Sequence, residues 1–290
     1  MRRHAGLVLA AASLALLAAC ARSAPPLVRA SSETTGGGTA QSPAAPSAGR
    51  SPVTTTAAAP ALASTNPATT TVPSAAVPLA PVAIPPRVVF HGPGSRKRVA
   101  LTFDLCATPR HRATLDRGVL RALRTARADA TFMMGGLWAE AHPREAALLG
   151  ENPDFEIGNH SETHAHVTRL SKAAARREVR QAQRAIQHAT GRTPRVFRFP
   201  YEERSPATVR LVAACGLIPV AEDVISGDPD PNRSADRLAE YVVSSAKPGS
   251  IVVMHANGNT EHTADALPRI IAGLRARGFE LVTVSELLAP

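Results

Sequence analysis

The chain has 290 residues, with 33 Lys and Arg against 23 Asp and Glu and a net charge of +10. Its first aromatic residue is Phe90, so a core is expected only in the roughly 200 residues that follow, a length suited to one domain. These figures exclude a coiled coil, a collagen-like fibre and a polytopic membrane protein, because no apolar run after the N-terminus approaches about 18 residues.

Residues 1–20 read as an export signal. Arg2 and Arg3 form a positive start, and Leu7 to Leu17 form an apolar run too short to span a bilayer. The ending Leu17-Ala18-Ala19-Cys20 resembles the lipobox of bacterial lipoproteins, in which the Cys is lipidated. That resemblance implies a membrane anchor at Cys20 and an exported, cell-envelope protein. The alternative is an ordinary signal peptide cut near Ala19 or Ala24. Residues 21–88 hold 51 Ala, Pro, Ser, Thr or Gly among 68, a composition that cannot bury enough apolar surface to offset ordering. The segment reads as a linker spanning on the order of 50 Å as a coil. The basic balance is weak evidence for nucleic acid, and none is expected as a partner. Lys occurs three times, and Arg176, Arg177, Arg180 and Arg184 suit the wet face of a helix.

From residue 98 short β runs alternate with amphipathic helices. Strands are expected at 98–103, 130–134, 155–158, 195–199, 217–221, 250–254 and 280–284. A helix is predicted over 171–189, with Val179, Ala182, Ile186 and Ala189 on one stripe and Gly191 just past its end. A second spans 206–215, with Ser205 as cap, Pro206 first and Gly216 as stop. A third spans 263–277, carrying Leu267, Ile270, Ile271 and Leu274, with Gly278 closing it. This alternation argues for an α/β fold with about seven parallel strands, either a distorted (β/α) barrel or an open doubly wound sheet.

Reactive residues fall at the ends of these strands. Asp104 follows the first, and His160 and His164 follow the third. Arg198 and Tyr201 end the fourth, Asp223 and Asp228 follow the fifth, and His255 follows the sixth. In parallel α/β folds those ends converge on one rim, where sites are built. His160 and His164 are four apart, and if the segment is helical both imidazoles share a face and reach one metal ion. Asp104 reads as a turn or cap residue, or as a base or ligand. His255 reads as a core residue, or as a proton donor with an unperturbed pKa of about 6.5. Arg198, between Phe197 and Phe199, needs a carboxylate partner, for which Asp104 or Asp228 serves.

Together these residues resemble the polysaccharide deacetylase family, the NodB-like carbohydrate esterases, over 97–287. Thr102-Phe103-Asp104 resembles the start of its first motif, and Glu156 to His164 its second. Arg198-Phe199-Pro200-Tyr201 resembles the third, Asp223 to Asp228 the fourth, and Met254-His255 the end of the fifth. The resemblance implies a distorted (β/α) barrel and metal-dependent hydrolysis of N-acetyl groups on an amino-sugar polymer. Peptidoglycan is the first candidate polymer, and chitin-like or other envelope glycans come next. It also implies that His160 and His164 hold a divalent ion, zinc by preference. Asp104 is then the base oriented by Arg198, His255 the acid tuned by Asp228, and the backbone near Tyr201 an oxyanion donor.

The chain departs from the family pattern in three places. The first motif normally carries two consecutive Asp, the second a metal ligand, and here Leu105-Cys106 follows Asp104. The ion then rests on both His with Asp104 or water, or Cys106 substitutes, or the site is metal-poor and inactive. Pro229 replaces a Trp after Asp228, and Glu202 replaces a Gly after Tyr201. The chain resembles a variant subset of the family with a Phe-Asp-Leu-Cys start and a Ser-Gly-Asp-Pro-Asp-Pro run like 226–231, which argues against random decay of the motifs. The competing readings are a glycan-binding module that has lost the full metal site, and a serine hydrolase. The latter is disfavoured by the lack of any GxSxG. Whether Cys106 and Cys215 form a disulfide is open at this level.

Overall fold

The computed structural model describes residues 84–258 and 260–289. The expected signal segment with Cys20, and the linker up to residue 83, lie outside the described residues. Among the described residues no helix is long and apolar enough to cross a membrane.

Eight strands make one sheet, and every pairing in it is parallel. In chain order they are β1 (Arg98–Leu105), β2 (Ala130–Met134), β3 (Phe155–Asn159), β4 (Val196–Arg198), β5 (Ile218–Val220), β6 (Val224–Ile225), β7 (Ser250–His255) and β8 (Glu280–Leu281). The path across the sheet runs β5-β4-β3-β2-β1-β7-β6, and β8 pairs with the start of β1. The sheet curls into a half-barrel, the distorted (β/α) barrel expected from the alternation. The helices are α1 (Arg117–Ala126), α2 (Gly136–Ala141), α3 (Pro143–Glu151), α4 (Lys172–Thr190), α5 (Pro206–Ala214), α6 (Ala235–Ser245), α7 (Thr263–Ala276) and α8 (Val284–Leu287).

Local chemistry sets the helix limits. Ser171 caps α4 by accepting from the Ala174 N–H, and Gly191 ends it in the left-handed region at φ +68°. Ser205 and Thr208 form a reciprocal cap on α5, with Pro206 at its first position. Two strands differ from expectation. β6 was not foreseen, because two residues carry no readable period. The run 280–284 stops at Leu281, because Thr283 accepts from the Glu286 N–H and starts α8 instead.

The strand period of two sorts β1 into two faces. Val99, Leu101, Phe103 and Leu105 belong to the main core, with Phe132, Val252, Met254 and side chains from α1, α2, α6 and α7. Ala100, on the other face, joins Met133, Val196, Val220 and Ile251 inside the curl, where Val284 and Leu287 of α8 also sit. The lower interior of the half-barrel is therefore filled. Thr102 donates to the Val252 carbonyl at 2.7 Å above that plug. The next inward residue of β1 is Asp104, a polar group at the rim.

Candidate active site

Strand register does the first part of the assembly. Asp104 lies directly beside His255 across the β1–β7 pair, and Met134 beside Asn159 brings the end of β3 to the same rim. Asp104, His160, His164, Arg198, Tyr201 and His255 line one pocket, together with Phe199, Glu202, Glu222 and Val253. Six of the seven residues named from sequence thus line one pocket, and the seventh, Asp228, stands just behind His255.

The loop holding the two histidines is not a helix, so the condition attached to the i,i+4 spacing is not met. Residues 160–166 form an irregular loop in which Ser161 and His164 have positive φ (66° and 55°). Buried polar groups hold that shape. Asn159 accepts from the Ser161 N–H at 2.9 Å and donates to the Val179 carbonyl at 3.0 Å. The Glu178 carboxylate on α4 accepts from the Glu162 and Thr163 N–H groups and from the Thr163 hydroxyl. The first N–H groups of α2, Gly136 and Leu137, donate to the Ser161 and Glu162 carbonyls. The imidazoles of His160 and His164 still converge, with centroids 5.0 Å apart. Tertiary partners do what helix spacing was expected to do.

His160 Nδ1 lies 3.0 Å from the Arg198 carbonyl. A carbonyl only accepts, so this contact places the proton on Nδ1 and the lone pair on Nε2. Burial pushes both His160 and His164 below the usual imidazole range, His164 well below it, and so keeps them neutral as ligands must be. Among the described residues His164 Nδ1 is buried without a hydrogen-bond partner. A ligand atom of each His lies within 4.8 Å of the other and of Cys106 Sγ, and all three residues are buried. Two imidazole nitrogens and a thiol around an orphaned buried nitrogen fit a divalent ion of the zinc type.

Arg198 donates from Nη1 to Asp104 Oδ1 at 2.8 Å, and its Nε lies 3.1 Å from Glu222 Oε2, near enough for an ion pair but not aligned as a hydrogen bond. Burial opposes the charge on Asp104, but its neighbours, the Arg198 guanidinium foremost, outweigh it and hold the carboxyl below its ordinary value. Glu222 goes the other way. Its burial, with Glu202 and Asp104 nearby, outweighs Arg198 and pushes it up to about 7. Sequence reasoning missed Glu222, which sits past β5 where only the arrival of Arg198 from β4 gives it a partner.

His255 is fixed from behind. Its Nδ1 is 3.0 Å from Asp228 Oδ1, and its backbone N–H donates to Oδ2 at 2.7 Å. Ser226 Oγ and Thr263 Oγ1 also donate to that carboxylate. Asp223, grouped with Asp228 by sequence, stands elsewhere. It accepts from the Ser250 hydroxyl and the Ile251 N–H at the start of β7, so it anchors a strand.

Tyr201 and Glu202 are consecutive non-glycine residues with φ of 56° each. Of the five such residues described, four lie at this rim, the pattern expected where surrounding structure enforces a strained backbone. The Tyr201 ring stacks on His166 at 4.0 Å, and Glu203 holds His166 through Nδ1 at 2.9 Å. Cys106 and Cys215 are not bonded to each other.

The sequence profile of the polysaccharide deacetylase family matches residues 91–220. A peptidoglycan-N-acetylglucosamine deacetylase of Bacillus cereus is 30% identical over 207 residues, covering 69% of this chain and 92% of that protein. A bifunctional xylanase/deacetylase of Pseudobutyrivibrio xylanivorans is 28% identical over 193 residues, covering 67% of this chain but only 31% of the relative. A CE4 family pseudoenzyme from Bacillus anthracis superposes with a TM-score of 0.64 at 26% identity, covering 71% of this chain and 70% of its own.

Proposed function

The chain belongs to the polysaccharide deacetylase family, and we propose that it removes N-acetyl groups from an amino-sugar polymer of the cell envelope, peptidoglycan first, by metal-dependent hydrolysis. It is on this reading a hydrolase of non-peptide carbon–nitrogen bonds. The observation that carries the reading is the placement of a buried carboxylate held by Arg198 and an imidazole held by Asp228 side by side across β1 and β7, over a converging histidine pair. A binding module has no use for a separate base and acid.

His160 and His164 hold a divalent ion, zinc by donor type. When bound, that ion supplies Lewis-acid polarisation of the acetyl carbonyl and a more acidic water. Arg198 keeps Asp104 ionised and fixes Oδ1, leaving Oδ2 to take the proton from the attacking water. The backbone N–H near Tyr201 is the donor assigned to the developing oxyanion on this reading. Asp228 occupies Nδ1 of His255, so proton delivery to the departing amine falls to Nε2. The C–N bond then breaks, giving acetate and the free amino sugar. The first-motif Leu105 supports the alternative of a glycan-binding module with a lost metal site. An export signal ending at Cys20 supports anchoring in the envelope, with 21–88 as tether.

Acetate release from peptidoglycan and from N-acetylglucosamine oligomers tests the reading, with zinc or cobalt added and then chelated. Release is expected with metal and is expected to stop with chelator. Glycan binding without acetate under any metal would establish the alternative.

A further inference from the structure

We propose that the thiolate of Cys106 is the third protein ligand of the metal, giving a Cys-His-His set where the family has a carboxylate. This rests on the deacetylase reading of the pocket and refines its metal chemistry.

The argument starts with the two faces of β1. Leu105 holds the position where the family's second Asp stands, but here it is fully buried in the main core beside Phe103. In this chain, then, position 105 offers the ion no donor atom and its side chain packs in the core. Cys106 comes one residue later and so returns to the inward face shared by Asp104. It is 3% exposed, and its sulfur and a ring nitrogen of each of His160 and His164 lie within 4.8 Å of one another. Bonds of about 2.3 Å to sulfur and 2.0–2.1 Å to nitrogen put tetrahedral ligand atoms roughly 3.3–3.6 Å apart, so such a set closes on an ion by side-chain movement of about 1 Å. Asp104 falls outside that mutually close group, and Arg198 already engages its Oδ1. The second, independent sign of a ligand is His164. Its Nδ1 is buried and without a hydrogen-bond partner among the described residues, a cost that coordination removes.

The exchange keeps the charge of the site, since thiolate and carboxylate each carry one negative charge. It changes the softness. One sulfur and two nitrogens favour zinc or cobalt over magnesium or manganese, which prefer oxygen. Three protein ligands also leave a fourth position open, as catalytic zinc requires.

Two measurements on the full chain test this. X-ray absorption of the zinc-loaded protein is expected to show one sulfur scatterer at about 2.3 Å. The cobalt form is expected to show a thiolate-to-cobalt charge-transfer band, retained in Cys215→Ser and lost in Cys106→Ser and Cys106→Asp. Zinc affinity is expected to fall at least about 100-fold in Cys106→Ser, beyond the 10–100-fold of an outer-shell change, and by less in Cys106→Asp. A metal shell of nitrogen and oxygen alone, no binding of zinc by the native chain, or unchanged affinity in Cys106→Ser overturns the proposal. The spectra of the native chain decide it even where Cys106→Ser fails to fold. Metal-dependent acetate release without sulfur ligation would overturn this inference and leave the deacetylase reading standing.

Discussion

Asp228 and Asp104 are both buried, both at the carboxyl rim, and both beside an imidazole, yet their carboxylates are used differently. Asp228 accepts four hydrogen bonds, from His255 Nδ1, the His255 N–H, Ser226 and Thr263, which matches the acceptor capacity of a carboxylate. Asp104 accepts from Arg198 among the described residues, and its Oδ2 stands 3.6 Å from His160 Nε2. Among the described residues, the pocket's buried polar atoms without a hydrogen bond lie on the Asp104 side: His164 Nδ1, Arg198 Nη2, and Arg198 Nε with Glu222 Oε2, which meet only as an ion pair. A saturated carboxylate orients its neighbour and does nothing else. A carboxylate with capacity to spare, facing unsatisfied groups, is where an ion, a water and a substrate complete the network.

The sharpest way to break this contrast is Asp104→Asn against Asp228→Asn. Asp104→Asn is expected to lower acetate release by about 10²–10⁴-fold, the range for a general base, with little loss of stability because Glu222 remains beside Arg198. Asp228→Asn puts an amide N–H₂ among four donors, and is expected to cost about 1–3 kcal/mol of stability as well as activity. Turnover and thermal melts on the same samples check this. If Asp104→Asn melts as early as Asp228→Asn, the two sides are not different in kind.

Leu105→Asp probes the face assignment on which the metal side depends. A charge placed in the main core is expected to destabilise by several kcal/mol, read by denaturant titration. A variant of native stability that binds metal through the new carboxylate would show that position 105 can reach the rim.

The smallest expected effect is in Glu222→Gln. The native state holds the Glu222 proton more tightly than the unfolded chain does, its value being about 7 against an ordinary 4.5. Stability from this group is therefore present at low pH, falls as pH rises through that window, and is flat above it. Glu222→Gln mimics the protonated form and removes the slope. Melting temperatures at pH 5 and pH 8 are expected to differ less in the variant than in the native chain, by the equivalent of about 1–3 kcal/mol at most. Equal pH dependence would place the strain elsewhere than in Glu222.

Much of this was legible one residue at a time. The three named helices, with the end of α4 at Gly191 and the start of α5 at Ser205 and Pro206, followed from sequence, because capping is settled within a few residues of chain. The rim positions of Asp104, Arg198 and His255 followed from strand ends, since parallel strands must finish together. The two-residue β6 was not legible, because its hydrogen-bond partners lie on β7, while the start of α8 rests on the local Thr283–Glu286 cap that the strand-like run 280–284 masked.

The sequence by itself determined the alternating strands and helices, the run of polar residues at strand ends, and the departure at Leu105-Cys106. Only the tertiary structure decided which of those residues meet. It set Asp104 against His255 by strand register, bent the histidine loop out of a helix with Asn159 and Glu178, and gave Arg198 a second carboxylate in Glu222. It also sent Leu105 into the core and Cys106 to the rim. The physical reason is that periodicity and capping act over a few residues. The direction of a side chain at a sheet edge, and the partner it finds there, depend on strands up to about 150 positions away, as Asp104 and His255 are.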